Sequence, residues 1–318
     1  MKNKFNLSNI TKLGFGCWGL GGDSYGKLNQ QRAIQLIKFA IKKKINFFDT
    51  SNIYGDGKSE IRIGKALEDL NRQKLFIASK IGMIPHKPTQ WKTPQNFNIS
   101  YLKKSFFESL RRLNTNYIDL IQLHSPPIEL IKHKSKMKKI LTLLKILKAD
   151  GHVRYFGVSV KSPKDALMVI KNYKEFKFIQ LNFNLMDQRA IDYDIFNLAQ
   201  EKNIKIISRT PLAFGFLSGK VKFKKKDDHR KKWSRKQINI WQNGKSIFYN
   251  CINRKNININ LIALLFSVFH KSVIATIPGM MSEKEIVQNS NFLKIKKLNK
   301  KEIKNIRLIY KKNNWVVK

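Results

Sequence analysis

The feature that most constrains this chain is a repeated alternation. Short runs with strand character recur along it, at Thr11–Trp18, Ile45–Phe48, Leu75–Ser79, Tyr117–Leu123, Val153–Val160, Phe178–Asn182, Ile204–Ser208 and Val273–Ile277. Between them lie longer stretches whose apolar residues recur at helical spacing, as at Ile34, Ile37, Ala40 and Ile41 within Gln30–Lys44. Further helical patterns cover Ser59–Leu70, Ser100–Leu113 with Ser100 as its cap, Lys136–Ala149, Asp192–Lys202, Ile257–Phe269 and Ser282–Asn291. Ser162-Pro163, an N-cap followed by proline in the first turn, starts another. Alternation of this kind predicts βα units around a parallel sheet.

Eight strands and eight helices predict an α/β chain folded as a (β/α)8 TIM barrel. The expected organisation is one domain over residues 1–318, with long loops at the C-terminal face. A further C-terminal helix is expected over Leu298–Lys311. A doubly wound sheet is the alternative. Gly14-Phe15-Gly16 is only a fragment of a dinucleotide-binding fingerprint, without a third glycine or a good helix start. Two segments read as long connections. Residues 82–97 are polar and carry Pro85, Pro88, Trp91 and Pro94, while 220–250 are rich in lysine and aromatics but poor in periodicity.

Composition narrows the setting. No apolar run reaches membrane-spanning length, and the first residues lack the apolar core of a signal peptide. Two cysteines, Cys17 and Cys251, form neither a metal spacing nor a disulfide framework, so no metal is expected and the cytoplasm is the expected compartment. Charge is the anomaly, with 63 basic against 21 acidic residues and a formal net charge of +42. Such a field attracts polyanions. The basic residues are spread over every element rather than along one stripe, and Lys, Asn, Ile and Phe are abundant together, which points to compositional bias over nucleic-acid binding.

The strand ends carry the chemistry. Asp49 ends the second strand, with Tyr54 five residues on in a Gly-rich loop. Lys80 closes the third and His124 the fourth. In a parallel barrel the C-terminal strand ends gather on one face, where active sites sit. Taken singly, Asp49 reads equally as a turn cap, Tyr54 as a loop aromatic, Lys80 as one lysine among many and His124 as a structural histidine. Three successive strands delivering an acid, a lysine and a histidine beside a tyrosine favour a site. Carbonyl reduction needs a proton for the developing alkoxide, and an adjacent ammonium lowers the pKa of a tyrosine toward that task.

These motifs resemble the aldo-keto reductase family nearly end to end. They are Asp49-Thr50-Ser51-Asn52-Ile53-Tyr54-Gly55, Ala78-Ser79-Lys80, Asp119-Leu120-Ile121-Gln122-Leu123-His124, Gly157-Val158-Ser159, Gln180-Leu181-Asn182, Pro211-Leu212 through Gly219, and Ile277-Pro278-Gly279. The resemblance implies Tyr54 as general acid, Lys80 and Asp49 tuning it, and His124 orienting the substrate. It implies NADP(H) or NAD(H) at the barrel mouth, with Ser159 and Gln180 at the nicotinamide carboxamide and Arg209 where relatives stack an aromatic ring. Leu212, Phe214 and Leu217 would follow the pyrophosphate, and Gly279, Ser282, Gln288 and Asn289 the adenosine. Trp18 and Trp91 are the substrate-wall candidates.

Departures from the family pattern stand beside this. Val160 replaces the Asn that usually follows the serine. Met281 and Glu285 occupy positions where NADP-preferring relatives place basic residues, which leaves the cofactor choice open. The expected activity is reduction of a small aldehyde or ketone to an alcohol, or the reverse. The alternative is a catalytically weak, cofactor-binding barrel that acts as a redox-sensing regulatory subunit.

Overall fold

The computed structural model describes residues 5–87, 93–219, 221, 228–252, 254 and 257–316. Trp91, Lys220 and residues 222–227 of the basic run lie outside the described residues. In chain order the first half contains β1 (Phe15–Gly16), α1 (Gln30–Lys42), β2 (Phe47–Asp49), α2 (Lys58–Leu67), β3 (Phe76–Ile81), α3 (Ile99–Leu113), β4 (Ile118–His124), α4 (Ile128–Lys132) and α5 (Lys134–Ala149). There follow β5 (Val153–Ser159), α6 (Pro163–Asn172), β6 (Phe178–Asn182), α7 (Arg189–Asp192), α8 (Ile195–Glu201), β7 (Lys205–Arg209), α9 (Arg235–Asn250), α10 (Ile259–Ser267), β8 (Val273–Ile277), α11 (Glu283–Ser290) and α12 (Lys300–Lys312).

All neighbouring strands pair in parallel, in sequence order from β1 to β8. Gly14 N donates to Thr276 O at 2.8 Å and Gly16 N to Pro278 O at 2.9 Å, which joins β8 back to β1. That closure makes a barrel and removes the doubly wound alternative. No helix among the described residues is long and apolar enough to cross a membrane.

The inward face of each strand changes character along its length. Side chains alternate faces with period two. On one face run Phe47 then Asp49, Phe76 then Ala78 and Lys80, Leu120 then Gln122 and His124, Phe178 then Gln180, and Ile207 then Arg209. The first member of each series joins a buried cluster with Phe5, Ile10 and Ala275 that plugs the N-terminal end. Phe76 anchors it, with Phe47 at 5.4 Å and Phe178 at 5.9 Å between ring centroids. Ala78 joins the same cluster, and the last member of each series (Asp49, Lys80, His124, Gln180 and Arg209) is polar and emerges at the C-terminal end. The outward residues pack under the helices in a second, larger core.

Local differences from expectation have physical reasons. Asn98, not Ser100, is the N-cap of α3, and Ser100 lies within its first turn. The stretch read as one helix over Asp192–Lys202 is two, because Asp194 adopts a left-handed φ of 52° between α7 and α8. Helix α9 falls in a segment read as a connection. Its buried residues are Gln237, Gly244 and Phe248, only one of them a large apolar side chain. Gln237 Nε2 and Trp241 Nε1 both donate to Trp315 O at 2.9 Å, so polar contacts with the C-terminal segment hold a helix that hydrophobic periodicity does not mark.

Candidate active site

Lys80 is the centre of the polar end of the barrel. Its ammonium has three N–H donors, and all three are engaged: Asp49 Oδ2 at 2.6 Å, Thr50 O at 2.7 Å and Tyr54 Oη at 3.2 Å. The other carboxylate oxygen of Asp49 accepts from Gln180 Nε2 at 2.7 Å and Gln122 Nε2 at 3.2 Å. Asp49 and Lys80 are buried almost completely, so removing either leaves the other uncompensated. Because Tyr54 Oη accepts from Lys80, its own proton is free to point into the cavity.

Tyr54 reaches this place through its loop. Gly55 has φ +63°, and a Cβ there would meet Gly21 O at 2.4 Å. The backbone after Tyr54 is thus pressed against the loop after β1, which carries Trp18. The Trp18 ring lies 6.3 Å from that of Tyr54.

Sequence reasoning expects Lys80 to lower the tyrosine pKa, but the balance goes the other way. Burial pushes the Tyr54 hydroxyl up, Lys80 draws it down, and Asp49 raises it again, for a net rise. Burial disfavours the Lys80 charge, yet Asp49 and Tyr54 together hold its pKa above the ordinary value. Around neutrality the pair is therefore a protonated phenol beside an ammonium.

His124 faces Tyr54 edge-on, 6.2 Å between ring centroids. Burial first, then Lys80, Arg209, His86 and Lys161, push its pKa well below the ordinary histidine value, so the imidazole is neutral. Its Nδ1 lies 3.1 Å from Ser51 Oγ, which also lies 3.1 Å from Asn52 Oδ1. The direction of the Ser51 hydroxyl thus selects the tautomer. With that proton turned to Nδ1, Nε2–H becomes the donor. Ser51 and Gln122 are site residues that the sequence reading quotes without a role.

A cavity of about 700 Å³ opens beside these groups, within the size range of small-molecule sites. Among the predicted residues it is lined by Asp49, Tyr54, Trp18, Gln180, Arg209, Leu212, Phe214, Gly279, Gln288 and Asn289. Lys80 and His124 are not among the lining residues, but adjoin them, Lys80 through its bonds to Asp49 and Tyr54 and His124 through its ring contact with Tyr54. Ser159 is not among them either; its Oγ donates to Gln180 Oε1 at 3.1 Å, so it reaches the cavity through Gln180. Leu217 is not brought to the cavity: its side chain is fully buried in the core and its N–H donates to Leu212 O. Ser282 caps α11 instead, its Oγ accepting from Glu285 N.

The lining also includes residues outside the predicted set, among them Tyr25, Arg230, Lys232 and Asn260. The loop after β7 is strained where it borders the cavity, with left-handed φ at Thr210 (54°), Ala213 (46°) and Phe214 (57°), a feature that concentrates at functional sites. Arg230 forks onto Asp228, donates to Phe214 O at 3.2 Å and stacks on Tyr25 at 5.2 Å. His229 N and Nδ1 both meet Ser24 O, at 3.0 and 2.9 Å. The segment before α9 therefore staples the loops after β1 and β7 together.

These residues fit a dinucleotide. Arg209 Nε is buried without a partner, which is an idle donor in the cavity wall. Elsewhere in the lining, Asn260, Gln288 and Asn289 carry amides suited to a nucleobase.

The sequence matches the family model described as "Aldo/keto reductase family" over residues 12–311. It is 31% identical over 306 residues to "Probable aldo-keto reductase 1" of Glycine max, covering 93% of this chain and 84% of the relative. Among solved structures, a glycerol dehydrogenase from Gluconobacter oxydans superposes with TM-score 0.79 at 24% identity, covering 97% of this chain and 94% of that one. An aldo/keto reductase from Klebsiella pneumoniae, solved with NADP and acetate, superposes with TM-score 0.71 at 22% identity, covering 95% and 92%.

Proposed function

The chain belongs to the aldo/keto reductase family, and from that premise we propose that it reduces a small aldehyde or ketone to an alcohol, or runs the reverse, with Tyr54 passing the proton. It is an NAD(P)-dependent oxidoreductase, working in this reading as a single barrel domain in the cytoplasm. The bound nicotinamide supplies or accepts the hydride. Tyr54 donates its hydroxyl proton to the carbonyl oxygen, and Lys80, whose N–H already points at Tyr54 Oη, stabilises the phenolate left behind. Asp49, braced by Gln122 and Gln180, keeps Lys80 charged and in place. His124, neutral, orients the carbonyl oxygen, through Nε2–H when the Ser51 hydroxyl turns its proton to Nδ1. Gln180, held by Ser159, presents polar atoms at the carboxamide end.

The observation that carries this reading is the saturated Lys80 ammonium, committed at once to Asp49, Thr50 O and Tyr54 Oη. A structural ion pair has no need of the phenol. The test is oxidation of NADPH and NADH against a panel of carbonyl compounds, for wild type and Tyr54→Phe. Turnover by wild type, with a rate loss in the variant of about 10²–10⁴ and cofactor binding retained, is the expected result. Cofactor binding without turnover in either direction would overturn the proposal in favour of a regulatory barrel.

A further inference from the structure

One cation beside the reacting groups has no part in the Tyr54–Lys80–Asp49–His124 set. Arg209 ends β7, opposite Asn182 in the sheet register, and lines the cavity together with Tyr54, Asp49 and Gln180. Among the described residues its guanidinium makes one hydrogen bond, Nη2 to Val160 O at 3.0 Å, while Nε is buried without a partner. No carboxylate forms an ion pair with it among the described residues, and Asp49, whose charge it feels, is committed to Lys80. Burial pushes its pKa down from the ordinary arginine value, but that value starts so high that the group stays charged.

A hydride donor serving a carbonyl held at Tyr54 must bring its redox carbon to this end of the cavity. The phosphates of such a cofactor would then fall farther along the cavity, where Arg230 touches the Phe214–Gly215 turn and could help hold them. We propose that Arg209 faces the redox ring of the cofactor and makes the protein hold the reduced form more tightly than the oxidised form. The proposal rests on the nicotinamide-dependent reading above. The oxidised ring carries a unit positive charge and the reduced ring carries none. A fixed, unneutralised guanidinium next to the ring therefore repels only the oxidised form, in a setting where water screens poorly. In the direction of carbonyl reduction this speeds departure of spent cofactor, the step that limits turnover in many enzymes with closing loops. In the opposite direction it raises the cofactor concentration needed for half-maximal rate.

The test compares dissociation constants of NADPH, NADP+, NADH and NAD+ at one ionic strength, read by quenching of tryptophan fluorescence. Wild type, Arg209→Met and Arg209→Lys are measured side by side, with Arg209→Gln as a second neutral variant should the methionine protein fail to fold. The expected result is a preference of wild type for the reduced form that shrinks by about tenfold in the neutral variants and persists in Arg209→Lys. Equal loss of affinity for both redox forms would overturn the inference and assign Arg209 to the pyrophosphate. An unchanged ratio would overturn it as well. Failure of wild type to bind any of the four would instead strike at the cofactor reading itself.

Discussion

Lys80 Nζ stands 3.2 Å from Tyr54 Oη while its other two protons are held by Asp49 and Thr50. The ammonium thus has no rotational freedom to lose when the phenol ionises, so its stabilising effect is in place before reaction. Lys80→Met removes that effect and strands a buried carboxylate. Activity should fall by at least about 10² and stability by about 3–5 kcal/mol. Restoring neutrality with Asp49→Asn in the same chain should recover most of the stability and none of the rate. Urea unfolding and steady-state rates on the two proteins check both halves. Recovery of activity in the double variant would sink the assigned role.

The pH profile follows from the direction of the Tyr54 shift. As general acid it must be protonated, so reduction is supported below its pKa and lost above it. Burial places that pKa higher than the ordinary tyrosine value, which is about 10. Reduction, as kcat/KM for the carbonyl, should be level through neutrality and fall only at strongly alkaline pH. Alcohol oxidation should rise over the same alkaline range. A fall in reduction centred near pH 7 would point to another group.

His229 predicts a second pH effect, on stability. Burial lowers its pKa from 6.5 to about 4, only partly offset by its bond to Ser24 O. The unfolded chain takes up the proton first, so stability is complete above 6.5 and declines as pH falls toward 4. At about 1.4 kcal/mol per pKa unit, the decline amounts to about 3 kcal/mol. His124, also pushed down by burial, adds to the same acid loss. His229→Phe should flatten the slope, because the backbone N–H still holds Ser24 O. Urea unfolding across pH 4–7 for both proteins provides the comparison, and an unaltered slope would exclude His229.

Glu285 bears on cofactor choice. It lines the cavity with Met281, and its Oε2 accepts from Met281 N at 2.5 Å, which fixes the carboxylate beside Gln288 and Asn289, where the proposed reading puts the adenosine. A 2′-phosphate placed there would meet like charge, whereas a free ribose hydroxyl has an acceptor to bond. NADH should therefore be preferred to NADPH, and Glu285→Gln should shift kcat/KM toward NADPH by roughly tenfold at low salt and less at high salt. A wild type that prefers NADPH, with no shift in the variant, would refute this.

The parts of the fold legible in the sequence share one physical basis. Phe47 to Asp49, Phe76 to Lys80 and Leu120 to His124 each run from apolar to polar on a single face, so period two locates both the barrel plug and the reactive rim. Ser162-Pro163 marks α6 by local chemistry alone, with a capping box through Asp165. What escaped the sequence depends on contacts between distant segments. Gly244 and Gln237 on α9 face Met186 and Trp315, 58 residues before Gly244 and 78 after Gln237, and carry no hydrophobic signal. Leu217 sits one strained turn from the cavity, and only the left-handed residues at 213 and 214 send it into the core. The sign of the Tyr54 shift was hidden for a similar reason. Lys80 is visible as a neighbour in the sequence pattern, but the burial that outweighs it is a property of the closed barrel.

Gly55 gives the sharpest test of how Tyr54 is placed. Its φ of +63° is one that side chains other than glycine rarely adopt, and an added Cβ would lie 2.4 Å from Gly21 O and 2.5 Å from Gly21 Cα. Both obstacles are backbone, so neither yields by a rotamer change. Gly55→Ala must therefore move the Tyr54 loop away from the loop that carries Trp18. The overpacking should cost about 1–3 kcal/mol of stability. A displacement near 1 Å at the tyrosine should lower the turnover rate by about 10², while cofactor affinity should change little, since the proposed cofactor residues lie mainly on β6, β7 and α11. Gly151→Ala, at a similarly left-handed φ of +79° but with nothing within 4 Å of the added Cβ and outside the cavity lining, serves as the control. Loss of turnover in the Gly55 variant with full turnover in the control is the expected outcome, measured as kcat beside the melting temperature of each. Full turnover in both would show that the close approach of Gly21 and Gly55 does not position Tyr54.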